Sequence, residues 1–305
     1  MTAHGMTEAI AARGITKRFG ALVANESAEI VVANGEIHAL VGENGAGKST
    51  LMRILSGMYA ADAGTIVYHG ADVTGWTTAN AIAAGVGMVH QHFMLVPSLT
   101  VAENVVLGHE IRRGLQLDRA AAERAVAEVA AKSGLDVPVA RRVSDLTVGE
   151  AQRAEIVKTL YRGAKLLILD EPTAVLSPPE VQDLWRVLRR LREEGTTVVV
   201  ITHKLDEVME ISDRITVMRH GRTVERMATS DTTPREIARA MVGRDVSLTG
   251  DVVHAPATVA PDRAAVLEMK GVSVARMHSA HALNAVDLTV HAGEIVGIAG
   301  VEGNG

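Results

Sequence analysis

Nine residues, Gly42-Glu-Asn-Gly-Ala-Gly-Lys-Ser-Thr50, fit the pattern GxxxxGK[ST]. Glycines at 42, 45 and 47 let the backbone wind tightly enough for successive N–H groups to converge on phosphate oxygens, and the N-terminus of the following helix adds a favourable dipole. Lys48 would then neutralise terminal phosphates and Ser49 would ligate magnesium. On this loop alone the chain could be a kinase, a GTPase or another phosphate-loop ATPase.

A second group of reactive residues lies downstream. Leu166-Leu-Ile-Leu-Asp-Glu171 reads as a buried strand that ends in two acids, one placed to hold a metal and one to orient or deprotonate water. Asp170 takes the first role and Glu171 the second, for which loss of the carboxylate typically costs ~10²- to 10⁴-fold. Thr196-Thr-Val-Val-Val-Ile-Thr202 reads as another buried strand, which delivers His203 to its end. His203 could contact a terminal phosphate there, although a histidine taken by itself more often fills a core or surface role. His90 and His92 in VHQHF have no further ligand at metal spacing, so ordinary packing or hydrogen bonding accounts for them.

These groups need a frame. Glu36–Val41 reads as a buried strand before the loop, and Leu51, Ile54, Leu55 and Met58 follow it at helical spacing. Leu146-Thr-Val-Gly-Glu-Ala-Gln-Arg153 opens another helix, with a hydroxyl at Thr147 and Gly149 at its start and Ile156, Val157 and Leu160 along it. Asp118 to Ser133 reads as a helix with Asp118 as N-cap and Gly134 just past its end. Ser177-Pro-Pro-Glu180 is a capping box with proline at the first helical position. Val181, Leu184, Trp185, Leu188 and Leu191 line one face of that helix, with Trp185 in the core, and Gly195 ends it. Strands and helices alternate at both ends of this region, which predicts an α/β layered core. No strong strand is visible from about 93 to 162, so a mostly helical insert separates the two catalytic strands.

Composition narrows the classes. A chain of 305 residues with 47% apolar content can bury at least one large core, and its length fits one full domain plus part of another. It has no cysteine, which excludes disulfides and thiolate metal sites. A formal charge of -5 gives no global attraction to nucleic acid. No apolar run approaches the ~18 residues that span a bilayer, and MTAHGMTEAIAARG lacks the apolar core of a secretory signal.

The chain also repeats itself. Gly14-Ile-Thr and Gly35-Glu-Ile-His-Ala-Leu-Val-Gly42 recur as Gly271-Val-Ser and Gly293-Glu-Ile-Val-Gly-Ile-Ala-Gly300. A single recurrence at so long an interval marks a duplicated domain rather than a solenoid. The expected organisation is one nucleotide-binding domain at 8–243, an Ala/Pro-rich linker at 244–263 and the truncated start of a second copy at 264–305, ending inside its own Gly303-Asn-Gly305 loop.

With these pieces in order, LTVGEAQR resembles the LSGGQ signature of ATP-binding-cassette (ABC) ATPases. The phosphate loop, Gln91, this signature, Asp170-Glu171 and His203 stand in that family's order, and the resemblance covers residues 8–243. VHQHFMLVPSLTVAENVVLG, KTLYRGAKLLILDEPTAVLSPPE and AMVGRD are similar to import proteins of the nucleoside and simple-sugar type, which carry two fused cassettes. The resemblance implies a phosphate-loop (RecA-like) α/β core with an antiparallel β subdomain and an inserted helical subdomain. It also implies an ATPase on the cytoplasmic face of the membrane that drives permease subunits supplied by an extracytoplasmic solute-binding protein, with no nucleic-acid partner.

Family roles transfer onto matching positions. Phe19 would stack on adenine; Gly42, Asn44, Gly45, Gly47, Lys48, Ser49 and Thr50 would cradle the ATP phosphates. Ser49, Gln91 and Asp170 would attend Mg2+, and Glu171, His203 and Lys48 would act in hydrolysis. Thr147 and Gly149 would bind ATP held by the opposite cassette, supplied in cis or by a dimer partner. The apolar Phe93-Met-Leu-Val-Pro97 beside Gln91 would receive a permease helix. Val148 and Glu150 depart from the commonest signature, and Ala174 and Ser177 stand where the family's SALD has serine and aspartate. The rival reading is a soluble twin-cassette ATPase acting on ribosomes or nucleic acid. It would share every ATP-site motif, but would call for basic surfaces that an acidic chain does not supply.

Overall fold

Three short runs, Ile37–Val41, Leu166–Asp170 and Thr197–Ile201, are buried along their whole length. Near-continuous apolar sequence of this kind belongs to parallel strands covered on both faces. The computed structural model describes residues 7–91, 93–114, 116–243, 264–274 and 283–299. It divides the chain into two compact units, Met1–Leu248 and Thr249–Gly305. The expected linker at 244–263, the glycine-rich end at 300–305 and His92 lie outside the described residues.

The first unit begins with β1 (Glu8–Phe19), β2 (Leu22–Ala33) and β3 (Ile37–Val41), and the glycine-rich loop leads from β3 into α1 (Lys48–Leu55). There follow β4 (Ala63–Tyr68), β5 (Ala71–Asp72), α2 (Thr78–Ala84) and β6 (Val86–Val89). The insert holds α3 (Val101–Val106), the two-residue strands β7 (Arg112–Arg113) and β8 (Gln116–Leu117), α4 (Arg119–Ser133) and α5 (Val148–Tyr161). After the insert come β9 (Leu166–Asp170), α6 (Pro178–Glu193), β10 (Thr197–Ile201) and α7 (Leu205–Ile211). The unit closes with β11 (Arg214–Arg219), β12 (Arg222–Ala228) and α8 (Pro234–Val242).

Two sheets result. The larger runs β12-β11-β3-β10-β9-β6, and every neighbouring pair from β11 to β6 is parallel. The smaller, β2-β1-β4-β5, is antiparallel, as the family resemblance implies. Side chains alternate across the pleat, so Leu167, Leu169, Val198 and Val200 pack with the insert and α6, while Leu166, Ile168, Val199 and Ile201 pack with α1 and the antiparallel sheet. The insert thus covers one face of the large sheet and the antiparallel sheet covers the other.

Local signals are realised with small shifts. Asp118 caps α4 and Gly134 ends it in a left-handed conformation. α1 is shorter than the apolar spacing predicts: it stops at Leu55, and Met58 lies beyond it and 41% exposed. The reason is local, since Gly57 takes φ +72 and breaks the helical run. Strand β9 ends at Asp170, so Glu171 lies outside it rather than at its last position.

In the second unit, β13 (Ala265–Val274) and β14 (Leu283–His291) pair antiparallel, as β1 and β2 do. The echo reaches backbone detail. Gly14, Ser27 and Gly35 take φ +64, +48 and +67, and Gly271, Ala285 and Gly293 take +58, +49 and +70. The expected repeat of β3 is not a strand: residues 294–299 pair with no sheet among the described residues, with Ile295 98% and Ile298 85% exposed. Strand β3 is held by β10 and β11, and no counterpart of either is present among the described residues of this unit.

Trp185 is fully buried among the residues joining α6 to the insert and sheet. Trp185→Ala is therefore expected to cost about 3–5 kcal/mol in urea unfolding, and a loss under about 1 kcal/mol would contradict this packing role.

Candidate functional site

Parallel pairing carries the carboxyl ends of four strands to one edge of the sheet, the edge where open α/β sheets bind ligands. In register, Val89 lies beside Leu169, Asp170 beside Ile201, and Ile201 beside Leu40. The residues that follow these ends are Gln91 after β6, Glu171 after β9, His203 after β10 and the glycine-rich loop after β3.

The loop is built around close backbone approaches. Gly47, the N-cap of α1, has φ +93 and no side-chain cap, and a Cβ there would collide with the Ala24 carbonyl and lie 2.6 Å from Asn25 Nδ2. Asn25 is fully buried in β2 and donates from Nδ2 to the Gly47 carbonyl at 3.1 Å. The antiparallel sheet therefore holds the loop, which leaves the first N–H groups of α1 to face outward. Lys48 is buried and donates to the carbonyls of Gly42 at 2.8 Å and Glu43 at 3.0 Å. Burial lowers the Lys48 pKa, against the opposing pull of Glu171 and Asp170. Phosphate oxygens would replace those carbonyls as acceptors and favour the charged ammonium.

Ser49 Oγ donates to Asp170 Oδ1 at 3.3 Å. Burial raises the Asp170 pKa, with the Ser49 hydroxyl opposing and the Glu171 charge reinforcing. A buried carboxylate whose charge is disfavoured, facing a hydroxyl oxygen, is a donor set that suits a small hard cation. Magnesium therefore fits Ser49 and Asp170.

Glu171 has φ +47, a left-handed conformation that costs a non-glycine residue about 1–3 kcal/mol. Its N–H donates to the Ile201 carbonyl at 3.0 Å, which holds the turn against β10. The turn sends its carboxylate between two partners: Gln91 Nε2 at 3.5 Å from Oε2, and His203 Nδ1 at 3.2 Å from Oε1. Gln91, Glu171 and His203 are thus brought together, next to Lys48, Ser49 and Asp170.

Thr147 and Gly149 form no part of that cluster. Thr147 caps α5, its hydroxyl accepting from the Glu150 N–H at 3.2 Å while Glu150 accepts from the Thr147 N–H at 2.9 Å. Arg141 adds a bond to Glu150 at 2.8 Å, so the glutamate that departs from the usual signature completes a cap and an ion pair. Phe19 stands 42% exposed at the end of β1, edge-on to Tyr59 with ring centroids 5.4 Å apart. Lys17 Nζ lies over the Phe19 ring, 5.5 Å from its centroid.

Sequence reasoning missed Asn25, Tyr59, Gln152 and Glu207. Gln152 Nε2 donates to the Pro172 carbonyl at 2.5 Å, and Glu207 accepts from the Thr173 hydroxyl at 2.6 Å. Polar side chains inside otherwise apolar stretches were the available signal, but their partners lie far away in sequence.

Residues 26–174 match the family described as ABC transporter. The chain is 45% identical over 292 residues to the nucleoside import ATP-binding protein NupA of Lactococcus lactis, spanning 95% of this chain and 56% of that protein. It is 45% identical to the guanosine import ATP-binding protein NupO of Bacillus subtilis and 45% to a ribose import ATP-binding protein RbsA of Rubrobacter xylanophilus, covering 56% of each and 95% and 96% of this chain. The chain thus spans about half the length of the curated relatives it matches. Among solved structures, an ABC transporter cassette in its ADP conformation aligns with TM-score 0.66 and 25% identity over 77% of this chain and 95% of that one. A dimeric bacterial ABC transporter cassette aligns with TM-score 0.63 and 23% identity over 72% and 98%, a likeness of fold.

The raised Asp170 pKa has a stability consequence. The folded carboxyl holds its proton above the ordinary 3.8, so its contribution is fully present below that value and is lost as pH rises through the folded-state pKa. Asp170→Asn is expected to melt above wild type at neutral pH, with the gap closing towards acid, while losing magnesium-dependent hydrolysis. Calorimetry across pH checks this, and a lower melting temperature at neutral pH would contradict it.

Proposed function

We propose that the chain, whose residues 26–174 match the ABC transporter family, is the ATP-hydrolysing subunit of an importer for nucleosides or simple sugars. The observation that carries the ATPase reading is the Glu171 carboxylate, held between Gln91 and His203 beside Lys48, Ser49 and Asp170. The import reading rests on the names of the relatives, which are import ATP-binding proteins for nucleosides, guanosine and ribose.

In this mechanism the backbone N–H groups of the 42–47 loop and the Lys48 ammonium bind the ATP phosphates, and the half-exposed Phe19 ring takes the adenine. Ser49 and Asp170, beside Gln91, would hold magnesium, which would supply neutralisation of phosphate charge. Glu171 orients water and accepts its proton; His203, on the other carboxylate oxygen, holds Glu171 in place and faces the terminal phosphate. Thr147 and Gly149 act on nucleotide held by an opposite cassette, adding donors and excluding water when the two close.

The same reading assigns 8–243 to a first cassette, 244–263 to a linker and 264–305 to the opening of a second. The matching glycine angles of the two hairpins support it. The partners are permease subunits in the membrane and, indirectly, an extracytoplasmic solute-binding protein, with the chain on the cytoplasmic face. No helix among the described residues is long and apolar enough to cross a membrane. The permease meets the groove next to Gln91, which is lined by Met58, Met88, His90, Met94, Lys158 and Arg162. Within the expected docking segment, Met94 is 60% and Val96 39% exposed, while Leu95 packs inward against the core.

Two substitutions test the parts separately. Glu171→Gln is expected to keep ATP binding and reduce turnover by ~10²-fold or more; unchanged steady-state hydrolysis would remove the base from the mechanism. Met94→Asp should retain nucleotide binding yet lose co-purification with the membrane subunits, and undiminished recovery of those subunits would move the docking site elsewhere.

A further inference from the structure

The segment that bears Glu171 is fastened to the signature helix at two points. Gln152, on the second turn of α5, is 3% exposed and donates from Nε2 to the Pro172 carbonyl, the residue immediately after the base. Further along, the Glu180 carboxylate occupies the space a Cβ on Gly149 would need, and the same carboxylate accepts from the Ser177 N–H at 2.9 Å and hydroxyl at 2.6 Å. Helix α5 therefore grips both ends of residues 172–180. Beyond the base, Thr173 donates to Glu207, and Lys204 donates to the Thr173 carbonyl at 3.2 Å. A left-handed glutamate persists only where its surroundings over-determine it. Of these restraints, only the one from Gln152 runs between the signature helix and the peptide next to Glu171.

We infer that Gln152 is a positioning residue that couples the signature helix to the strained Glu171 turn of its own cassette. The inference rests on the proposed shared site, in which Thr147 and Gly149 at the start of α5 meet the opposite nucleotide. Gln152 lies one turn along the same helix, so engagement of that nucleotide is transmitted through one buried hydrogen bond to the peptide carrying this cassette's own base. Ser177 stands where the family has an aspartate, and here it is occupied in holding Glu180 against Gly149. The direct tie through Gln152 supplies a coupling route within the cassette.

The test uses the full chain assembled with its partners and compares wild type, Gln152→Met and Gln152→Glu. Methionine matches the size of glutamine and cannot donate. The Met variant is expected to lose at least tenfold in kcat, with KM for ATP and melting temperature near those of wild type. The Glu variant is expected to be equally slow at neutral pH and to recover relative to wild type as pH falls, because a protonated carboxyl can donate to the Pro172 carbonyl where a carboxylate cannot. A second readout is independent of turnover: in the nucleotide-free chain, the NMR signals of the His203 ring, which contacts Glu171, are expected to shift in the Met variant. Unshifted His203 signals, wild-type kcat, or a loss of binding and melting temperature in proportion to kcat with a flat pH ratio would each overturn the inference. If wild type itself fails to hydrolyse ATP, the transport reading fails, and the His203 shift still decides the positioning role.

Discussion

Parallel pairing of β3, β10, β9 and β6 is the constraint on which the rest of this structure depends. Each strand is nearly all apolar and covered on both faces, so its register cannot slip without moving core residues to the wrong side. Their carboxyl ends must then lie side by side, and the loop, Glu171, His203 and Gln91 are delivered to one edge whatever the conformation of the segments between them. The chemistry is local at that edge although its residues come from positions 42 to 203.

The edge is rigid in the places where charge is costly. Asp170 and Lys48 are both buried, and burial displaces each pKa towards its neutral form. Phosphates and a cation bound there would favour the charged form of both groups. Backbone strain at Glu171 adds a second cost, offset by its bond to Ile201 and by the network around Thr173 and Glu207.

Elements with a local cause were legible in the sequence. The α6 start at Ser177-Pro-Pro-Glu180, the Asp118 cap and the three buried strands all follow from residues within a few positions of one another. So did the motifs that converge on the sheet edge, because the loop, the acidic strand end and His203 each sit at a strand terminus. What could not be read depends on partners distant in sequence: Asn25 holding Gly47, Gln152 holding Pro172, and Glu207 joining Thr173 to Thr202. The early end of α1 and the positive φ of Glu171 belong to the same class, since the second is imposed by β10 and nothing in the residue type asks for it. Recurrence of the paired strands β13 and β14 was visible as spaced glycines.

The central claim is that one complete hydrolytic site is made from the loop and Glu171 of one cassette and the signature helix of another. Complementation between two disabled chains tests it most directly. Thr147→Asp keeps a good helix cap but sets a negative charge against the opposite phosphates, and Glu171→Gln removes the base. Each chain alone should be nearly inactive. Mixed under conditions in which the first cassettes pair with one another as dimer partners, they should regain a substantial fraction of wild-type hydrolysis, because the Glu171 of one then meets the Thr147 of the other. A mixture as inactive as its components, or full activity of either variant alone, would contradict the shared site.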